Sequence, residues 1–104
     1  MLAEPVLKRI KASLAEAFQG RLRGVMLYGS EARGEAEPES DIDLLVLLAT
    51  PVHRAEDLRV CIHALYPLVL ELERPIHAKP VDAAEYEAQA FPLYREAKRE
   101  GVFV

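Results

Sequence analysis

The eight residues from Asp41 to Leu48, Asp-Ile-Asp-Leu-Leu-Val-Leu-Leu, constrain the fold of this chain more than any other segment. Apolar and polar residues alternate at the start and the later run is continuously apolar. That pattern predicts a central β-strand covered on both faces. Leu22–Tyr28, bounded by Gly29, reads as a neighbouring strand. A third is expected within Leu68–Val81, although Pro67, Pro75 and Pro80 divide that stretch and blur its register. Helices are expected around these strands. Val6, Ile10, Leu14 and Phe18 recur at helical spacing between Pro5 and Gly20, with Leu7 and Ala17 beside them. Ala55, Leu58, Ile62 and Leu65 share one face of a helix from about His53 to Tyr66. Asp82 with Glu85 forms a capping-box pattern that opens a last helix, interrupted or restarted at Pro92 and stopped at Gly101. The order helix, strand, strand, helix, strand, helix implies an α/β (α+β) fold, a small mixed sheet with helices on one face.

A chain of 104 residues with 51% hydrophobic and 29% charged residues reads as one domain, residues 1–104, with a modest core. The net charge of −4 and pI near 5.4 argue against a dedicated nucleic-acid surface built on basic residues. Cys61 is the sole cysteine, so neither an internal disulfide nor a zinc motif is expected, and the residue reads as a small core side chain. The longest apolar stretch, Leu44 to Ala49, is far too short to span a bilayer, and the charged, periodic start is no secretory signal. A cytoplasmic location is expected. The absence of Asn, the presence of only two Gln, and thirteen Glu beside nine Arg suit a thermophilic source.

The chemistry concentrates in Tyr28-Gly29-Ser30-Glu31-Ala32-Arg33-Gly34 and, further on, Ser40-Asp41-Ile42-Asp43. Gly29 and Ser30 fall where a strand turns into a helical turn. A glycine there lets backbone approach a ligand closely, and the amides that follow form an anion cradle. Ser30 can add its hydroxyl, and Arg33 a charge-assisted fork. Period-2 alternation sends Asp41 and Asp43 to one face, with Ile42 and Leu44 turned to the core. Two close carboxylates repel unless a cation lies between them, and Mg²⁺ favours hard oxygen donors completed by water and substrate phosphates. An anion cradle facing a carboxylate pair describes a site for a metal–nucleoside triphosphate.

Gly29-Ser30, ten residues, then Asp41-Ile42-Asp43 resembles the DNA polymerase β-like nucleotidyltransferase superfamily. The fuller string, Y-G-S-E-A-R-G…S-D-I-D-L-L-V, resembles its minimal, MNT-type branch. The flanking helices and the C-terminal Arg-Glu-Gly-Val carry the likeness over most of the chain. The resemblance implies that Gly29 and Ser30 hold nucleotide phosphates and that Asp41 and Asp43 bind divalent metal and carry catalysis. It implies transfer of a nucleoside monophosphate from an NTP, expected to be ATP, to an acceptor hydroxyl. A HEPN-domain partner in a toxin–antitoxin-like pair is implied too, with the hydroxyl on that partner. An aminoglycoside-like small molecule is the other acceptor considered, and a homo-oligomer formed at the third strand's edge the other assembly. Active members of the family add a third carboxylate from a later strand. Here His77 stands near that place, with Lys79 on the same face and Glu71, Glu73 and Asp82 nearby. The alternative function is therefore a non-catalytic nucleotide- or partner-binding module.

Overall fold

The computed structural model describes residues 2–104. Its centre is β2 (Ile42–Leu48), flanked by β1 (Leu22–Tyr28) and β3 (Ile76–Asp82), with the two-residue β4 (Val102–Phe103) completing the order β3-β2-β1-β4. β1 runs antiparallel to both β2 and β4, whereas β2 and β3 are parallel. The sheet is mixed, as the sequence pattern implies. Parallel pairing needs a crossover, and α3 (Arg54–Leu72) supplies it.

The alternation of β2 sorts its side chains between two layers. Ile42, Leu44, Val46 and Leu48 pack with Leu7, Ile10, Leu14 and Phe18 of α1 (Glu4–Phe18) and with Cys61, Leu65 and Leu68 of α3. Leu45 and Leu47 face the other way, against Tyr86 of α4 (Ala83–Glu87) and Tyr94 and Ala97 of α5 (Pro92–Glu100). The two long helices thus share one face, while the short α4 and α5 cover part of the opposite face instead of joining them. They cover only part of it. Met26, Leu45, Leu47 and Val81 lie beneath them, and the end carrying Tyr28, Asp43 and His77 stays open.

α3 departs from the sequence reading in its extent and in the face it buries. α3 runs through Pro67 to Leu72. Pro67 is exposed, so the carbonyl it leaves without a donor lies on the solvent side, where water serves it. The face that α3 buries is Asp57, Cys61, Leu65 and Leu68, whereas Leu58 and Ile62 are exposed. Asp82 caps α4 as its spacing with Glu85 implies, accepting from the amides of Ala84 and Glu85, at 2.8 and 3.1 Å. No helix among the described residues is long and apolar enough to cross a membrane.

Candidate functional site

The site is built at the open end of the sheet, where β1 ends and β2 and β3 begin. Register aligns Tyr28 of β1 with Asp43 of β2, and Asp43 with His77 of β3. The three side chains therefore form a row across three strands on one face. Asp41, two residues before Asp43, joins them. His77 Nδ1 lies 3.4 Å from Asp41 Oδ2 and 3.9 Å from Asp43 Oδ1, so both carboxylates converge on one point in front of the sheet.

Gly29 closes this cluster from below. Its φ of 77° is one that side chains rarely adopt, and a Cβ there would sit 2.5 Å from Asp43 Oδ2. Only glycine lets the turn pass this close to the carboxylate. After it comes α2 (Ser30–Arg33), one helical turn ended by Gly34 in the left-handed conformation. The first amide bonded within this turn is that of Arg33, which donates to the Gly29 carbonyl at 3.2 Å. The amides of Ser30 and Ala32 precede it and lie at the turn's open end. Arg33 stands at the rim. Its Nε donates to Glu35 Oε1 at 2.7 Å, and Nη1 reaches Glu100 Oε2 of α5 at 3.4 Å.

Beneath the site lies a contact that the sequence reading did not single out. Arg74, in the turn between α3 and β3, places Nη2 2.6 Å from Glu31 Oε1, and both side chains are nearly buried. Its Nε donates to the Ser40 carbonyl at 2.9 Å. The next residue, Pro75, accepts from the Ile42 amide at 2.9 Å. Asp41 is thus bracketed by two residues held to the same turn. The Ser40 hydroxyl also accepts from the Glu37 amide, closing the loop just ahead. The one available sequence signal was the odd place of Glu31, an acid inside a turn otherwise suited to anions.

Electrostatics follow from this crowding. Burial pushes the Asp43 carboxyl above the usual carboxylate range and the Asp41 charge adds to the effect, while His77 and Arg33 pull the other way. Burial and the Asp43 charge likewise raise the Tyr28 phenol. A cation in front of the pair would relieve the repulsion between the acids. The donor chemistry fits Mg²⁺: two hard carboxylates on one accessible face, leaving positions for water and phosphate oxygens. Among the described residues no group of three or more His, Cys, Asp and Glu is placed to hold a metal without such outside ligands.

The remaining candidate acids lie elsewhere. Glu71 pairs with Arg9 of α1, and Asp82 is at the far end of β3, opposite Leu48. Glu73 caps α3 with φ 55° and is exposed. Lys79 does share the His77 side of β3, opposite Leu45. Cys61 is buried in the core, which pushes its thiol up to about 12.

An open-ended mixed sheet with a Gly-Ser turn set against two acids defines a nucleotide-handling class of domain. Residues 7–103 match the nucleotidyltransferase domain family, to which this chain belongs. A Methanocaldococcus jannaschii sequence named putative protein adenylyltransferase is 38% identical over 47 residues, 45% of this chain and 47% of that relative. Among solved structures, the spectinomycin adenyltransferase AAD(9) of Enterococcus faecialis, crystallised with ATP and spectinomycin, superposes with a TM-score of 0.71 at 17% identity. That match covers 99% of this chain and 56% of that enzyme. A toxin–antitoxin structure with AMP-PNP matches at TM-score 0.62 and 19% identity, over 92% of this chain and 70% of that one. These likenesses establish the nucleotidyltransferase fold. The chain spans about half the length of the adenylyltransferase relative and of the spectinomycin enzyme.

Proposed function

We propose that this chain transfers a nucleoside monophosphate from ATP to a hydroxyl on a partner protein, using Mg²⁺ held by Asp41 and Asp43. The observation that carries the reading is the convergence of both carboxylates beside the Gly29-Ser30 turn, with Asp43 packed against the glycine backbone. Phosphate oxygens would lie over the amides of Ser30 and Ala32, within reach of the Ser30 hydroxyl. Arg33, held at the rim by two acids, can exchange those partners for phosphate. The metal, when bound, supplies charge neutralisation and alignment of the phosphates. ATP and a protein acceptor are favoured by the name of the adenylyltransferase relative, and a toxin–antitoxin pairing by the structural neighbour. In this reading residues 1–104 act as one minimal catalytic unit in the cytoplasm, and a HEPN-type partner offers the acceptor.

Two measurements test it. ATP should raise the melting temperature more with Mg²⁺ than without, and Asp43→Asn should abolish most of that difference while folding normally. An undiminished Mg-ATP response in the variant would remove Asp43 from the site. Labelled ATP and Mg²⁺, added to the purified chain with the product of its neighbouring gene, should place label on that product. A stable but unlabelled complex would favour the second reading, a non-catalytic binding module.

One residue motivates that second reading. His77 lies across from Asp43 on the neighbouring strand, near where the family resemblance implies a third carboxylate. A histidine is a poor partner for a hard cation. Slow transfer is therefore expected of the native chain, and His77→Asp should speed it. A fast native chain that the substitution leaves unchanged would show that no third acid is needed at this position.

A further inference from the structure

The face of α3 turned away from the core carries a second apolar row. Leu58, Ile62, Tyr66 and Leu70 are 37%, 55%, 56% and 59% exposed. Each is four residues from the next, so they form one continuous stripe about 18 Å long on the helix surface. α1 packs along the other flank, where Val60 and Ala64 line a depression with Ala17. Nothing among the described residues covers the stripe. A contiguous apolar row of this kind on an otherwise charged chain marks an interface.

We infer that the stripe is where a second copy of this chain docks, with the two α3 helices antiparallel about a two-fold axis near residue 64. The row is symmetric about that point. A two-fold there sets Leu58 against Leu70 of the second copy and Ile62 against its Tyr66, and repeats both contacts in reverse. Charge selects the same orientation. Arg59 borders the stripe near its start and Glu73 ends it, both exposed and neither in an ion pair among the described residues. Antiparallel docking brings each Arg59 within reach of the other copy's Glu73, whereas parallel docking stacks like charge on like. The free edge of β3 suits pairing less well. Pro80 brings no N–H to an incoming strand, and Pro75 stands just before the strand begins. The docked face is the helical one, so both open sheet ends stay accessible.

A contact of two helices over this length lies at the small end of specific interfaces, which predicts a reversible dimer that dissociates in the micromolar range. Sedimentation equilibrium across that range should show mass rising from 11.6 kDa toward twice that value. Ile62→Glu should hold the chain monomeric with an unchanged melting temperature, since Ile62 is more than half exposed and is not a member of the buried core. Arg59→Glu alone should weaken the dimer, and Arg59→Glu combined with Glu73→Arg should restore it. A chain monomeric throughout, or a dimer that survives Ile62→Glu, overturns the inference and leaves the stripe to a different protein. A double variant no tighter than the single one overturns the antiparallel arrangement.

Discussion

Gly29 and Gly34 both hold positive φ, yet their surroundings separate strain from site. A Cβ at Gly29 meets Asp43 Oδ2, while a Cβ at Gly34 meets nothing within 4 Å. Alanine carries a backbone cost of about 1–2 kcal/mol at Gly34, which is left-handed helical, and about 1–3 kcal/mol at Gly29, whose ψ of −156° lies in a region nearly exclusive to glycine. Each kcal/mol lowers the melting temperature by about 4–8 °C in a domain this small. Gly34→Ala should show that loss alone and keep its full Mg-ATP response. Gly29→Ala should in addition lose the response, because the methyl displaces the carboxylate. Melting curves of both variants, with and without Mg-ATP, check the difference. At this scale most of the candidate site is readable before folding. The Gly-Ser spacing and the Asp-x-Asp alternation each state a geometric need, and the structure brings those residues together. Arg74 and Glu31 were not readable, because each alone looks like a solvated charge and nothing in their separation says that they meet.

Arg74 acts between elements. Through Glu31, Ser40 and the adjoining Pro75 it ties α2, the entry to β2 and the turn into β3 to one another. Arg74→Met removes a cationic partner from a carboxylate that is only 5% exposed. The expected cost is about 3 kcal/mol, the range for breaking a buried pair. Chemical denaturation measures that cost, and a weakened Mg-ATP shift should accompany it because Asp41 loses its bracket. How far the elements themselves were legible depended on packing. β2 announced itself, since an apolar run after alternating acids allows little else. Sequence alone ends α3 before Pro67, because a proline's damage depends on which side of the helix it lies, and that side is set by tertiary packing. Its buried face is ambiguous in sequence for a related reason. Two apolar rows run along the helix, and periodicity alone does not say which one meets the sheet. β4 is two residues long and exists only through its pairing with Met26 and Leu27.

Across the whole molecule, the contact that joins the turn before β1 to the crossover helix is set by acid–base chemistry. Arg21 bonds both oxygens of Asp57 at 2.9 Å and also donates to the Pro51 carbonyl at 3.0 Å, while the His53 amide donates to Asp57 at 2.9 Å. The hydrogen bonds from Arg21 hold the Asp57 carboxyl below its ordinary range, against the opposing effect of burial. A carboxyl depressed in the fold adds stability above its unfolded pKa, and that share drains away as pH falls through the folded value. Asp57→Asn should therefore cost about 2 kcal/mol near neutrality. The gap in melting temperature between the two proteins should narrow steadily below about pH 4. A gap that stays constant with pH would remove the charge from the explanation. The row Tyr28, Asp43, His77 has a consequence at the same scale. Its members sit on three strands joined by long stretches of chain, and β2, the most deeply buried segment, lies in the middle. No fragment of the molecule can carry the row, and the row cannot loosen without separating the strands that hold the entire fold together. The row itself is therefore not open to switching by local melting, and the control this geometry admits is a body that stands in front of the open end or steps aside.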